Sequence, residues 1–340
     1  MELAAELKKQ ALQAGAALAG IAPAQPLPQA SAYEKWIAAG MQGGMDYMAR
    51  NAQSRKDIAH WYPEAKSVLI CGFSYASTRQ ASVKSGYGRL ARYSVFPDYH
   101  PELKKRMKSI LDWLKTTVPK ADGRIFVDTS PLLERLYARY AGVGFVGKNT
   151  MLIAPKLGSY FLIAGLAINI ELASDEPVPD HCGSCNRCLN ACPTDAFAQE
   201  RVLDAGRCIA YFTIEHRGGI PEEFRPGIGD WIMGCDVCQE VCPWNRFALA
   251  GEVFKPQFET SQDLAELARM DNAAFKKRFG KTPLSRAKRR GIVRNALLAM
   301  GNSRDLRYRP LLERARSDPD PILSEQATWS LARLLDNTQS

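Results

Sequence analysis

The sequence lacks the features that would place the protein in or across a membrane. No apolar run reaches the about 18 residues that a membrane-spanning helix needs, and the longest candidate, residues 160–170, is typical of a buried strand. The N-terminus has the period of an amphipathic helix but lacks the basic start, apolar run and cleavage site of a secretory signal peptide. We therefore expect a cytoplasmic protein that makes no membrane contact.

A nucleotide-binding P-loop is also missing. Lys148 and Asn149 follow a glycine-rich turn, but the full G-x-x-x-x-G-K-[ST] pattern is absent. The chain has 340 residues, of which 46% are hydrophobic and 24% charged. These values are typical of a globular protein with a sizeable core and two or three domains.

Eight of the nine cysteines lie within a short central segment, and the first four have the spacing C-x2-C-x2-C-x3-C-P. This is the pattern of bacterial ferredoxins with two [4Fe–4S] clusters, in which the fourth cysteine binds the other cluster. Zinc is the competing interpretation, but zinc sites usually pair two cysteines with two distant ligands. In a reducing compartment such a run indicates a metal centre rather than disulfides.

A second motif, at residues 235–243, has only three cysteines, and Cys208 is the obvious replacement for the missing one. The crossing rule of two-cluster ferredoxins then predicts two sets of four ligands. The first set is Cys182, Cys185, Cys188 and Cys242, and the second is Cys192, Cys208, Cys235 and Cys238. Cys71 is left over inside an apolar run, so we predict a buried structural role for it.

Helical and strand patterns alternate before the cysteine segment, and only helical patterns follow residue 264. The earlier part is predicted to contain helices 2–17, 102–118 and 131–140 and strands 67–73, 124–127 and 160–170. The later part is predicted to contain helices 294–301, 309–316 and 324–335, which look like one HEAT-type repeat that must dock on the rest of the chain.

The predicted fold class is therefore α+β, in three parts. Residues 1–174 form an N-terminal α/β domain, residues 175–250 a ferredoxin-like domain with two clusters, and residues 251–340 a basic helical region. Between Asp271 and Arg316 there are fourteen Lys or Arg residues against three Asp or Glu. A solvated helical face is the simplest interpretation, but so one-sided a surplus favours a polyanion partner. The same region can also serve as an oligomer interface.

Beyond the cysteines, three segments resemble the epoxyqueuosine reductase family. They are VDTSPLLER at residues 127–135, GVGFVGKNT at residues 142–150 and GCDVCQEVCP at residues 234–243. The likeness covers nearly the whole chain. It implies an oxidoreductase that converts epoxyqueuosine to queuosine at wobble position 34 of tRNA, the last step of queuosine biosynthesis.

The resemblance also implies the cofactors and partners. The N-terminal domain would bind cobalamin, which the two [4Fe–4S] clusters reduce to cob(I)alamin. No D-x-H-x-x-G run supplies a histidine to cobalt, so the implied cobalamin is base-off without a ligand from that motif. The expected partners are tRNAs with GUN anticodons (Tyr, His, Asn and Asp acceptors) and an electron donor such as a flavodoxin or ferredoxin. A monomer is expected.

Asp128 is the candidate catalytic residue. Opening an epoxide to an alkene needs protons, and a carboxyl group beside an apolar corrin face would keep its proton near neutral pH because burial raises carboxyl pKa values. The alternative is that Asp128 caps the next helix. Arg135 is similar to an anticodon-loop contact of the family, although a surface ion pair is its simpler interpretation.

Further residues match family positions that approach the cobalamin or the tRNA. The cobalamin set is Arg55, Ala91, Asp128, Leu152, Ile163, Asp236 and Val237. The basic region adds phosphate contacts at Lys276, Lys277, Arg278, Lys281, Arg286, Lys288, Arg289, Arg290 and Arg294. The alternative functions are a corrinoid reductive dehalogenase acting on a small molecule and an electron-transfer module without catalysis.

Overall fold

The computed structural model describes residues 2–76 and 84–336. Within these ranges the α-helices are α1 (Glu2–Gln13), α2 (Ala30–Ala38), α3 (Asp46–Ala49), α4 (Ala52–Lys56), α5 (Tyr99–Thr117), α6 (Glu134–Tyr140), α7 (Arg187–Asn190), α8 (Ile209–Ile214), α9 (Arg225–Ile228), α10 (Val237–Glu240), α11 (Leu264–Arg269), α12 (Asn272–Phe279), α13 (Lys288–Ser303), α14 (Arg309–Ala315) and α15 (Pro321–Leu335). Short 3-10 helices lie at Ile58–His60, Arg92–Val95, Ala205–Arg207, Pro243–Phe247, Pro283–Arg286 and Leu306–Tyr308.

The strands form one four-stranded sheet and three smaller ones. They are β1 (Leu18–Pro23), β2 (Ser67–Ser74), β3 (Tyr87–Leu90), β4 (Gly123–Phe126), β5 (Phe145–Val146), β6 (Leu152–Ile153), β7 (Phe161–Ile168), β8 (Phe197–Gln199), β9 (Val202–Leu203), β10 (Trp231–Met233) and β11 (Ser261–Asp263). The predicted strands 67–73, 124–127 and 160–170 are confirmed as β2, β4 and β7, with small differences at their ends.

The four-stranded sheet has the order β1-β2-β7-β4, and every neighbouring pair in it is antiparallel. The α/β description of the N-terminal domain is therefore wrong, because that class has a parallel sheet, and α+β describes it. All of β2 is buried because both faces of the sheet are covered. One face packs with Leu7 of α1 and Leu103 of α5, and the other with Tyr137 of α6.

Helix α5 is stabilised by an N-terminal cap and by a buried apolar face. Asp98 is its N-cap, and its carboxylate accepts a hydrogen bond from the His100 N–H over 3.0 Å. Its apolar side chains form one buried face: Leu103, Met107, Ile110, Leu111 and Leu114. Helix α6 begins at Glu134 and not at Pro131 as predicted, because residues 130–132 close a tight turn between the Leu132 N–H and the Ser130 carbonyl.

A three-stranded sheet joins all three predicted parts of the chain. Its order is β10-β3-β11, with β10 parallel and β11 antiparallel to β3. One continuous hydrophobic core extends from Leu7 to Leu334. The ferredoxin-like segment and the C-terminal helices are thus packed on the N-terminal part, and the domain boundaries at 174 and 250 stay a prediction.

The C-terminal region is helical, as predicted, but its first helix is longer. Helix α13 runs through Gly301 to Ser303 and ends at Arg304, whose φ is +53°. The predicted glycine stop is wrong because Gly301 serves packing: a Cβ there would lie 2.7 Å from the Cα of Ser330 in α15. The comparison with a HEAT repeat remains a prediction. Every helix within residues 2–76 and 84–336 is too short or too polar to span a lipid bilayer.

Candidate active site and metal centres

Asp128 follows β4 with a backbone φ of +55°, a conformation that L-residues seldom adopt and that occurs often at functional sites. Its side chain is 63% exposed. The Oδ2 atom accepts a hydrogen bond from the Tyr99 hydroxyl over 3.1 Å and lies 3.4 Å from Nε2 of His100. The helix-cap interpretation is wrong, because α6 starts after Leu133 without a side-chain cap.

The charge state of Asp128 differs from the expectation. Loss of water to the surrounding protein atoms raises the pKa of this carboxyl. The contact with His100 and its charge, the Tyr99 hydroxyl and the Arg135 charge lower it by more, so the net shift is downward. The expectation of a raised pKa was wrong because the neighbours of Asp128 are donors and cations. Asp128 is therefore ionised at neutral pH in this structure.

His100 connects two carboxylates. Its Nδ1 lies 2.7 Å from Oδ1 of Asp98, and its Nε2 faces Asp128. The imidazole also stacks on the Tyr99 ring, with 4.2 Å between ring centroids. The contact with Asp128 raises the pKa of His100 more than burial lowers it, and Asp98 adds to the rise.

Glu134 and Arg135 open helix α6 directly beside Asp128. Burial and the charge of Asp128 raise the pKa of Glu134 to about 8, and its Oε1 is buried without a hydrogen-bond partner in the described part of the chain. Arg135 is exposed, and its guanidinium donates a hydrogen bond to the Thr150 carbonyl over 2.9 Å. These groups form one cluster of proton donors and acceptors, here called the acid site, which consists of Tyr99, His100, Asp128, Glu134 and Arg135.

Three of the predicted cobalamin-binding residues, Ala91, Asp236 and Val237, lie together at the second cysteine motif. The Asp236 carboxylate accepts a hydrogen bond from the Arg92 N–H over 2.8 Å, next to Ala91. Asp236 is buried, and burial raises its pKa to about 6 although the Arg92 N–H and charge oppose the shift. The Ala91 N–H pairs with Met233 at the end of β10, and Val237 starts α10.

The other predicted cobalamin residues lie on the N-terminal part. Arg55 is buried in α4, and its guanidinium donates to the Tyr47 carbonyl over 3.4 Å. Leu152 is buried in β6 and Ile163 is half-buried in β7, and both belong to one apolar cluster. No contact between these three side chains and Asp128 was found among the described residues, so their shared role stays a prediction.

The first predicted ligand set shares one cavity. A space of about 260 Å³ is lined by Cys182, Cys185, Cys188 and Cys242, with Trp244 and Phe247 at its edge. The Lys148 N–H points at Cys182 Sγ over 3.5 Å. Backbone donors to cysteine sulfur are a normal means of tuning iron–sulfur clusters. These features fit a cluster bound by four thiolates.

The cysteines of the second predicted ligand set also lie close to one another. Burial and then the neighbouring Cys208 and Cys238 raise the pKa of Cys235, and burial together with Cys192 raises that of Cys208. The Ala196 N–H donates to Cys192 Sγ over 3.3 Å.

The residues of the glycine-rich turn tie the two centres to the N-terminal part. Lys148 is buried and forms an ion pair with Glu200 over 2.7 Å. The Asn149 amide donates to the Cys238 carbonyl over 3.2 Å. Cys71 is fully buried in β2, as predicted, and burial raises its pKa to about 12.

The basic C-terminal region reaches the acid site. The Asp98 N–H donates to the Lys281 carbonyl over 2.9 Å, which places this region next to His100. Arg286 pairs with Glu215 over 2.8 Å and lies 5.6 Å over the Tyr47 ring. The exposed members of the predicted tRNA set are Lys276, Lys277, Lys281, Arg286, Lys288 and Arg290, and the half-buried ones are Arg278 and Arg289.

Arg294 does not face a phosphate-binding surface. It is 1% exposed, and its guanidinium donates to the carbonyls of His216 and Gly218 over 3.0 and 2.7 Å and to Phe212. Burial, together with the charges of neighbouring arginines, lowers its pKa to about 10. The prediction of a phosphate contact for Arg294 is therefore wrong, because it satisfies buried carbonyl groups instead.

Three residues of the acid site were not found from the sequence: Tyr99, His100 and Glu134. The sequence Asp98-Tyr99-His100 is typical of a helix N-terminus, and an acidic residue such as Glu134 is common in the first turn of a helix. The signal that was available is that His100 is one of only four histidines in the chain. Its separation of 28 positions from Asp128 hides the contact, which depends on how α5 docks beside β4.

Comparison with protein families gives two matches. Residues 181–245 match the 4Fe-4S double cluster binding domain, and residues 55–129 match the family described as epoxyqueuosine reductase QueG, DUF1730. The chain is 37% identical over 295 residues to the epoxyqueuosine reductase of Cellulophaga algicola, covering 85% of this chain and 95% of that relative. It is 35% identical over 345 residues to that of Xanthomonas campestris pv. campestris, covering 98% and 96%.

Solved structures show the same likeness over the whole chain. A selenomethionine-labelled epoxyqueuosine reductase matches with a TM-score of 0.91 at 31% identity, covering 99% of this chain and 92% of that one. A second structure, of epoxyqueuosine reductase with an epoxyqueuosine-modified tRNA-Tyr stem loop, matches with a TM-score of 0.91 at 31% identity, covering 99% and 91%.

Proposed function

Because the chain belongs to the epoxyqueuosine reductase family, we propose that it reduces the epoxide of epoxyqueuosine to the alkene of queuosine at position 34 of tRNA. The observation that carries the proposal is the full-length likeness to a reductase structure that holds an epoxyqueuosine-modified stem loop. A reductive dehalogenase acting on a small molecule is not favoured by these relatives, and neither is a module without catalysis.

The reaction defines what the site must supply. An epoxide, two electrons and two protons give an alkene and water, so the site must deliver protons to the departing oxygen. Asp128 is the proposed acid, because its carboxylate is exposed at the end of β4 and surrounded by proton-donating groups. A related Bacillus subtilis structure is described with an aspartate-bearing catalytic loop swung out of the active site.

The electrons come from the two clusters. We assign Cys182, Cys185, Cys188 and Cys242 to the first cluster and Cys192, Cys208, Cys235 and Cys238 to the second. The shared cavity of the first set and the mutual influence of the second support this division. The second set adjoins the acid site, because Asn149 bonds to Cys238 and the nearby Thr150 accepts from Arg135.

The residues around the acid site fit a bound cobalamin. Four of the buried polar atoms that have no hydrogen-bond partner in the described ranges lie near the matched positions, on Arg55, Arg92, Glu134 and Tyr160. A corrin carries many amide side chains that can pair with such groups. Arg55, Ala91, Asp236 and Val237 would hold it, with Leu152 and Ile163 as apolar contacts. Bound there, cobalamin would supply a strongly reducing cobalt centre for the reaction.

The tRNA surface is assigned to the exposed basic side chains of α12, α13 and the loop between them. These cations neutralise phosphates and give affinity, whereas the wobble base must enter the acid site to be recognised. Tyr47 of the N-terminal part contacts the basic region, because the Arg286 guanidinium lies 5.6 Å over its ring. Arg135, exposed beside Asp128, is the proposed anticodon-loop contact.

We further propose the specific substrates, the electron donor, the oligomeric state and the location. The substrates are tRNAs with GUN anticodons, because queuosine replaces their wobble guanosine. The electron donor is a flavodoxin or ferredoxin, the protein acts as a monomer, and it works in the cytoplasm, where its tRNA substrates are. Surface cations at α12 and α13 suit tRNA better than a subunit interface, since interface cores are depleted of lysine.

The test is an anaerobic assay with both clusters reconstituted. The protein is mixed with cobalamin, a strong reductant and epoxyqueuosine-containing tRNA, and nucleosides are measured by mass spectrometry. We expect queuosine to form only when cobalamin is present. A halogenated phenol is the matched alternative substrate; its dehalogenation without queuosine formation would contradict the proposal.

A further inference from the structure

Asp128 is ionised at neutral pH and is poorly suited to giving up a proton on its own. The proton must come from a neighbour that holds one at that pH. Around the carboxylate lie the Tyr99 hydroxyl, the Arg135 guanidinium, the Glu134 carboxyl and the His100 imidazole. Phenols and guanidinium groups hold their protons too tightly for this purpose.

We propose that His100 is the proton source that loads Asp128, so that the two residues act as one acid in the reduction; this inference rests on the proposed function. Its Nε2 lies 3.4 Å from Asp128 Oδ2. That nitrogen is buried and forms no other hydrogen bond in the described part of the chain, so its proton is not held by a competing acceptor. It is thus free to move its proton to Asp128.

Asp98 keeps the imidazole charged and oriented. Its Oδ1 lies 2.7 Å from Nδ1 of His100, on the opposite side of the ring from Asp128. A carboxylate there fixes the Nδ1–H and stabilises the imidazolium, as carboxylates do for catalytic histidines. Stacking on Tyr99 holds the ring plane. The backbone carbonyl of Lys281, in the basic region, accepts a hydrogen bond from the Asp98 N–H.

The proton balance is simple. The imidazolium Nε2–H passes to Asp128 Oδ2, and the neutral carboxylic acid then protonates the oxygen that leaves the epoxide. The imidazole regains its proton from solvent, to which His100 is 24% exposed. Each of the two protonations in the reduction draws on the pair once. Glu134 is a poorer candidate, because a proton on it is shielded from water by burial.

The pH profile of kcat distinguishes this role from a structural one. With His100 as the source, the wild-type rate falls as pH rises through the raised His100 pKa. H100Q should lower kcat about 100-fold, as loss of general acid catalysis does, leave KM for tRNA within about threefold and remove the alkaline decline. Iron content and the cobalamin spectrum report on folding of the variant.

The half-buried partner Asp98 provides a second variant. D98N removes one of the two carboxylate charges that raise the His100 pKa, so the alkaline decline in kcat should move to lower pH. The idea is overturned if H100Q retains wild-type kcat, or if it loses kcat with an unchanged pH profile, or if D98N leaves the decline in place. Wild-type conversion of epoxyqueuosine is established first, so these failures leave the proposed function intact.

Discussion

The guanidinium of Arg294 donates a hydrogen bond to the Gly218 carbonyl over 2.7 Å, deep between α13 and the segment that follows α8. The adjacent Asn295 bonds to the Thr213 and Ile232 carbonyls over 3.0 and 2.8 Å. Two neighbouring residues of the basic region thus hold the cluster-binding segment to the C-terminal helices.

R294A should therefore destabilise the fold. It leaves at least two buried carbonyls without a donor, at about 1–3 kcal/mol each, so we expect the free energy of unfolding to fall by about 3 kcal/mol or more. A thermal melt measures this, with the exposed R314A as the control. If R294A has the melting temperature of the wild type and binds tRNA more weakly, the structural role assigned to Arg294 is contradicted.

The exposed lysines should behave in the opposite way. Replacing Lys276, Lys277, Lys281 and Lys288 with alanine should leave the melting temperature unchanged and weaken tRNA binding. The slope of log Kd against log salt should decrease by about 0.7–0.9 for each tRNA phosphate that the variant no longer neutralises. K9A/K120A, which removes two exposed lysines elsewhere, is the control. An unchanged slope in the fourfold variant would exclude this surface.

The contrast between Arg294 and these lysines shows what the sequence can and cannot predict. Metal ligation depends on spacing within a short segment, so the sequence is enough to predict a region with two iron–sulfur clusters, which the family match over residues 181–245 confirms; the division of the ligands stays a prediction. Charge counts do not tell which face of α13 a residue occupies, and Arg294 was misplaced for that reason. The contact between His100 and Asp128 depends on the docking of α5 beside β4, which no local pattern encodes.

The crossing of the cysteine ligands can be tested by iron content. C242S removes a ligand from the second motif, and we expect the first cluster to be lost, so that iron falls from about eight to about four atoms per chain. The remaining cluster should keep its electron paramagnetic resonance signal. C71A is the matched control and should retain both clusters. Loss of the second cluster in C242S, with the first retained, would overturn the division of ligands.

Asp128 itself should be needed for turnover and not for assembly. D128A should lower kcat at least about 100-fold while iron and cobalamin remain bound, because the side chain acts on the leaving oxygen. D122N, which changes an exposed aspartate paired with Lys115, is the control. Wild-type turnover by D128A would remove Asp128 from the mechanism.

The central claim is conversion of epoxyqueuosine to queuosine in tRNA, and the most direct measurement is complementation. The gene is expressed in a bacterium that lacks its own epoxyqueuosine reductase, and the nucleosides of its tRNAs for Tyr, His, Asn and Asp are identified by mass spectrometry. The account predicts that queuosine appears, and that it does not appear with D128A. Persistent epoxyqueuosine alongside wild-type protein shown to hold both clusters and cobalamin would contradict it.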